Sequence, residues 1–305
     1  MSADVEGLIP ICLVTGFLGS GKTTFLKHIV ANNRERKIVY LVNEFSPHDI
    51  DGAIVSRDNP SVVSIPGGSI FCKCLVTEFI SQMSSIPTLF DGVEGVVIEA
   101  SGMANPKVIS DMLRETKLDD KYTLAHIVSI VDPGSFMKLC VVLPNIVAQI
   151  EASDSVIINK TDLYDKAAVE ETENALVDIK ADVVLYKTVN ANVTLDLFSP
   201  PAAERLLHGD YAKCKDPNYE SITIKIERAI SLELIRAKIL AVEDDLYRVK
   251  GYLKTDVGRV YAEYTKSGFT TTPAVDDDDN TIVIIMRGNA SDATRDFVNW
   301  LGEVS

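Results

Sequence analysis

Long apolar runs are missing from this chain, and nothing in it approaches the about 18 consecutive apolar residues that a membrane-spanning helix needs. The first residues, MSADVEGLIPICLVTG, are acidic and lead straight into a strand-like run instead of a signal peptide, so a cytoplasmic location is expected. Cysteine is scarce: five residues (Cys12, Cys72, Cys74, Cys140 and Cys214), unevenly spaced, cannot make a disulfide framework, and reduced thiols follow. Basic residues are in deficit, with 30 Lys and Arg against 44 Asp and Glu and a formal charge of −14. That balance argues against sequence-independent binding to nucleic acid, which needs a concentrated basic face. Any anionic ligand must be held by a local device. No internal repeat is present.

What is there is a rhythm. Between residues 9 and 190, short apolar runs (IPICLVTG, KIVYLVNE, GVVIEAS, HIVSIVD, SVIINK and DVVLYK) alternate with helix-length stretches. Runs that are apolar on both faces predict buried, mostly parallel strands with helices on both sides of the sheet, an α/β fold. Residues 191–218, with a Pro-Pro pair and the polar stretch HGDYAKCKDPNYE, read as a connecting region. From 219 to 305 the pattern becomes SITIKIE, YRVKGYLKT, GRVYAEYT and TIVIIM with helical candidates at 231–243 and 291–302, which predicts a smaller α+β domain with an antiparallel sheet. The run Asp276–Asp279 reads as a solvated hairpin loop.

Three motifs carry chemistry. GFLGSGKT, Gly16 to Thr23, matches G-x-x-x-x-G-K-[ST] in full and lies between a strand-like and a helix-like segment, the context a phosphate loop requires. Gly16, Gly19, Ser20, Gly21 and Thr24 would offer backbone N–H groups and the helix N-terminus to a phosphate, Lys22 would reach the β- and γ-phosphates, and Thr23 would ligate Mg²⁺. In INKTDL, the Asp162 carboxylate can accept from N1–H and the 2-amino group of guanine, a pair adenine lacks. Asn159 would brace that loop and contact the base, and the Lys160 stem would cover one face of the ring. In VVIEASG, Glu99 could hold Mg²⁺ through a water while the Gly102 N–H senses the γ-phosphate.

With these in place the chain resembles the CobW-like family of P-loop GTPases, in the same broad group as the urease and hydrogenase nickel-insertion GTPases. The matching pieces are GFLGSGKTT at 16–24, VNEF at 42–45, the glycine and cysteine segment at 67–74, EASG at 99–102, VD at 131–132 and NKTD at 159–162. The domains implied are a P-loop GTPase domain over 1–190, the connector, and a CobW C-terminal-like domain over 219–305. The resemblance also implies binding of GTP and GDP with Mg²⁺, and a transition metal carried for a client metalloenzyme or cofactor-pathway protein. Zinc is often that metal; cobalt and nickel are the alternatives.

The family typically carries C-x-C-C after a glycine, and here the chain departs. Aligned from Gly68 without a gap, Ser69 and Phe71 stand in for the first two cysteines and Cys72 matches the third; aligned instead on Cys72 and Cys74, Leu75 replaces the third. Either way two thiolates remain in place of three, and a closed tetrahedral site needs further ligands. Glu44, which matches the family's switch glutamate, and His48 are the best candidates, ahead of Asp49 and Asp51. CKCL can equally be read as packed structural thiols leading into a helix, or as a redox pair, although a C-x-C disulfide would be strained. Cys12 and Cys140 read as core residues, and His28 and His126 as structural.

The expected reaction is slow intrinsic hydrolysis of GTP to GDP and phosphate, because no residue stands out as an arginine finger or water-orienting base. Set beside a GTP-dependent metallochaperone are two other readings: a nucleotide-switched assembly factor that carries no metal, and a small-substrate kinase, which NKTD weakens. Neither membrane nor nucleic acid is an expected partner, and homodimerisation is compatible with the pattern.

Overall fold

The structure is a computed structural model that describes residues 7–44, 62–66, 71, 76–199, 207–209, 211, 218–274 and 280–303, with backbone only for 44 and 62–66. His48, Asp49, Asp51, Cys72, Cys74, Cys214 and Asp276–Asp279 lie outside the described residues. The chain divides into two compact units, residues 1–214 and 215–305.

In the first unit, β1 (Ile9–Thr15), β2 (Ile38–Glu44), β3 (Val62–Pro66), β4 (Gly95–Glu99), β5 (Tyr122–Val131), β6 (Ser155–Ile158) and β7 (Val184–Lys187) form one sheet in the order β3-β2-β4-β1-β5-β6-β7. Every pairing is parallel. Parallel neighbours need long crossovers, and helices supply most of them: α1 (Lys22–Asn32), α2 (Val76–Leu89), α3 (Val108–Glu115), α4 (Pro133–Leu139), α5 (Pro144–Ala152) and α6 (Lys166–Ile179). Prolines open α4 and α5, where a missing N–H removes no helical hydrogen bond.

Strand alternation divides the core in two. Ile11, Leu13, Val39, Leu41, Val96 and Ile98 pack against Phe79, Met83 and Ile86 of α2 and Met112 of α3. Their neighbours Cys12, Val14, Tyr40, Val42 and Val97 point the other way, onto Phe25, Leu26 and Ile29 of α1. Both faces are covered, which is why these strands read as unbroken apolar runs.

Four readings from the sequence are corrected. β3 is a seventh strand that the six recognised runs do not include; its apolar residues are only Val62, Val63 and Ile65 around Ser64, and it lies at the sheet edge. β7, expected to be buried, is the opposite edge and half-exposed. Residues 191–199 of the supposed connector pack on the first unit: Ala191 and Leu197 belong to its core, and Phe198 lies where a Gly95 Cβ would stand 2.4 Å from its ring. Cys12 is buried as expected, but Cys140 caps the C-terminus of α4 and is only half-buried, with partial burial raising its thiol pKa.

The second unit is an antiparallel sheet of β8 (Tyr219–Lys225), β9 (Leu246–Thr255), β10 (Gly258–Thr265), β11 (Gly268–Pro273) and β12 (Thr281–Arg287), ordered β11-β10-β9-β12-β8. α7 (Leu232–Ala241) and α8 (Asp292–Glu303) bury Ile235, Ile239, Phe297 and Leu301 against it. Arg248 of β9 donates through both Nε (3.0 Å) and Nη2 (2.7 Å) to Glu263 of β10. Among the described residues, no single helix is long and apolar enough to cross a membrane.

Gly251 lets two central strands meet: a Cβ there would lie 2.0 Å from the Thr281 carbonyl oxygen and 2.6 Å from Ile282 Cα, both backbone atoms that cannot turn aside. Gly251→Ala is therefore expected to destabilise the second unit by about 1–3 kcal/mol. Urea unfolding followed through Trp300, the single tryptophan of the chain, which lies in α8, measures it.

Candidate nucleotide site

Thr15 ends β1 and Lys22 opens α1, so Gly16–Gly21 form the loop between them, at the position where the strand order turns from one side of β1 to the other. Two glycines there cannot be replaced without displacing backbone or a buried amide. Gly16 has φ +131° and a Cβ would fall 2.2 Å from the Ile130 carbonyl oxygen; Gly21 has φ +113° and a Cβ would fall 2.3 Å from Asn159 Nδ2. Gly19 is also left-handed, at φ +74°.

Lys22 is 6% exposed and folds back into this loop, its Nζ donating to the carbonyls of Gly16 (2.9 Å) and Phe17 (3.2 Å). An ammonium thus sits in a ring of backbone, beside a helix N-terminus whose first turn has no acidic residue to oppose an anion. Ser20 Oγ is buried at the same loop with no hydrogen-bond partner, as are Thr15 Oγ1 and Ser129 Oγ on adjoining strands. Cradle, cation and orphaned hydroxyl fit a polyphosphate. Thr23 is half-buried and Thr24 exposed at the start of α1.

The EASG segment comes to the same place. Glu99 is the last residue of β4, buried, in register with Val14 of β1 and Val42 of β2. Gly102 abuts the phosphate loop, since a Cβ would stand 2.7 Å from the Leu18 backbone nitrogen. Buried Gln149 of α5 supports this turn from behind, donating to the carbonyls of Gly102 (3.2 Å) and Ala104 (3.1 Å). Oxygen donors at Thr23 and Glu99 are the hard ligands Mg²⁺ takes.

The NKTD segment is joined to the phosphate loop by one side chain. Asn159, 2% exposed, donates from Nδ2 to the Ser20 carbonyl (2.8 Å) and accepts at Oδ1 from the Ala191 N–H (2.7 Å). Lys160 follows in the left-handed region at φ +59°, its Nζ 2.8 Å from Asp132 Oδ2. Asp162 lies in a single 3₁₀ turn and is exposed. The brace expected of Asn159 is thus present, and Asp162 is open to a ligand.

Several contributors went unread in the sequence. Asn190 (φ +53°) and Ala191 (φ +51°) are two consecutive left-handed residues that bring a third loop against Asn159. His28 of α1 ties that loop down through a 2.9 Å contact from Nε2 to the Asn190 carbonyl. Neither residue type signals this, because the feature is backbone conformation. His126 is structural as expected, with Nε2 3.1 Å from Ser155 Oγ.

Of the transition-metal candidates, only the surroundings are described. Glu44 and Pro66 are in register at the C-terminal ends of β2 and β3. Phe71, which takes a cysteine position in the ungapped alignment, is 1% exposed and packed in the core with Phe79 and Met83. Among the described residues no group of three His, Cys, Asp or Glu could hold a metal ion.

The model of the CobW/HypB/UreG nucleotide-binding domain matches residues 10–186, the whole parallel sheet but for Ile9 of β1 and Lys187 of β7. The chain belongs to this family. The zinc chaperone YeiR of Escherichia coli is 34% identical over 167 residues, 54% of this chain and 49% of YeiR. The zinc chaperone CobW of Pseudomonas aeruginosa is 26% identical over 234 residues, 66% of this chain and 62% of that one, so the chain spans about half to three fifths of these relatives. The zinc chaperone YjiA of Escherichia coli is 24% identical over 267 residues, 81% of this chain and 82% of YjiA. Its zinc-bound crystal structure aligns with 96% of this chain and 99% of its own, at 21% identity and a TM-score of 0.49.

In this CobW-family site Asn159→Asp isolates the loop lock. The change keeps shape and the acceptor for Ala191 but removes the donor and sets a carboxylate against the Ser20 carbonyl. Expected are a loss of roughly 2 kcal/mol in stability and a more than about tenfold weaker GDP affinity, read by urea unfolding and by calorimetric titration.

Proposed function

We propose that the chain binds and slowly hydrolyses GTP, and that the nucleotide state governs binding and delivery of a transition metal, zinc first, to a client metalloprotein in the cytoplasm. The observation that carries the nucleotide half is the Asn159 amide, which ties the phosphate loop to the loop bearing Asp162. Phosphate recognition and base recognition are thereby parts of one site. The metal half is supported by the family and by the zinc chaperones among the relatives.

In the proposed reaction a water oxygen attacks the γ-phosphorus in line, the bond to the β-bridging oxygen breaks, and GDP and phosphate leave. Thr23 and Glu99 would hold Mg²⁺, which would supply neutralisation of charge on the β- and γ-oxygens. Lys22 exchanges its two carbonyl partners for phosphate oxygens, so the charge that fills the loop beforehand serves the transition state afterwards. Gly102, pressed on Leu18, relays the γ-phosphate to the segment that follows β4. Glu44 and His48 with Cys72 and Cys74 are the metal ligands proposed.

Lys22→Ala is expected to abolish GTP hydrolysis in a phosphate-release assay; wild-type turnover in that variant would remove the phosphate loop from the mechanism. Zinc titration with and without a non-hydrolysable GTP analogue tests the other half. Zinc should bind in at least one state more tightly than about 10 μM, which is about 7 kcal/mol. Weaker binding in both, with hydrolysis intact, overturns the chaperone reading in favour of an assembly factor that carries no metal.

A further inference from the structure

Asp132 directly follows β5, and its carboxylate is 1% exposed. As N-cap of α4 it needs one oxygen, and Oδ1 accepts from the Ser135 N–H at 3.3 Å. The rest of its bonding goes elsewhere. Oδ2 lies 2.8 Å from Lys160 Nζ, and Oδ1 also accepts from the Tyr164 hydroxyl at 2.6 Å. Lys160 and Tyr164 stand two residues before and two residues after Asp162.

One buried carboxylate therefore grips the turn on both sides of the exposed Asp162. Lys160 lies in the left-handed region, which is sparsely populated by residues that carry a Cβ. Room for the Tyr164 ring has been made at Gly134, where a Cβ would lie 2.6 Å from the tyrosine oxygen. A residue that merely caps a helix would require neither the tyrosine, the lysine nor the glycine.

We propose that Asp132 is the positioning residue for base recognition, clamping Lys160 and Tyr164 so that the exposed Asp162 carboxylate is preset for guanine before nucleotide arrives. The inference rests on the reading of Asp162 as guanine reader and goes beyond it, since a turn that is already ordered loses less freedom on binding. Lys160, oriented by its ion pair, is then part of a fixed wall and not a mobile side chain.

The test is calorimetric titration of the full chain with GDP, ADP and inorganic pyrophosphate. Asp132→Asn keeps an N-capping side chain of the same shape but loses the charge that holds Lys160. Its GDP affinity should fall about tenfold, as expected for loss of a charge-assisted bond. ADP and pyrophosphate affinities should stay within about twofold of wild type. Tyr164→Phe should lose GDP affinity by about threefold with the same selectivity, and Asp162→Asn marks complete loss of the guanine preference. Unchanged GDP affinity in Asp132→Asn, or an equal fall for all three ligands, overturns the proposal; if that variant does not fold, unchanged GDP affinity in Tyr164→Phe does so. A wild-type chain that does not prefer GDP to ADP would instead sink the assignment of Asp162, a separate failure.

Discussion

The first unit turns on a single buried amide. Asn159 has a donor and an acceptor on one planar group, and both are used: the donor on the carbonyl of Ser20 in the phosphate loop, the acceptor on the N–H of Ala191. Each bond is worth about 1 kcal/mol in stability, a modest sum. The geometric consequence is larger, because the groups joined come after β1 on one side and after β6 and β7 on the other, with β5 lying between them in the sheet. The approach is close, because a Cβ at Gly21 would stand 2.3 Å from the amide nitrogen.

From that lock the rest of the site follows in order. The parallel sheet delivers every functional loop to one edge, since parallel strands all end on the same side. β1 ends in the phosphate loop, β4 in EASG, β5 in Asp132 and β6 in NKTD. Strand spacing then sets distances that no loop has to span. A net charge of −14 is compatible with the proposed phosphate site, whose cradle is made of backbone dipoles and the buried ammonium of Lys22.

What could be read from the sequence depended on whether a residue's role lay in its type or in its conformation. Gly16, Lys22, Asn159 and Asp162 belong to motifs in which residue type and spacing are the mechanism, and their loops meet. The α/β class and the antiparallel sheet that follows it were legible because burial on two faces and on one face leave different periodicities. β3 escaped because an edge strand needs few apolar residues. Asn190 and Ala191 escaped because left-handed backbone at an alanine leaves no mark in composition, and Tyr164 because its partner, Asp132, is 32 residues away in the chain. The connector was misjudged at its start because the Pro-Pro pair and the polar stretch after it outweighed a short alternation, Ala191, Val193, Leu195 and Leu197, whose residues pack on the first unit.

The same edge bears on how nucleotide and metal would be coupled. β2 and β3 finish in register at Glu44 and Pro66, so the chain leaves toward the switch-like segment and toward the cysteine segment from adjacent points. Two strand spacings, roughly 10 Å, separate β2 from β1 and its phosphate loop. Phe71 then matters more than the thiolate it stands in for. Buried among Phe79, Met83 and the β-strand residues of the core, it anchors the chain one residue before Cys72.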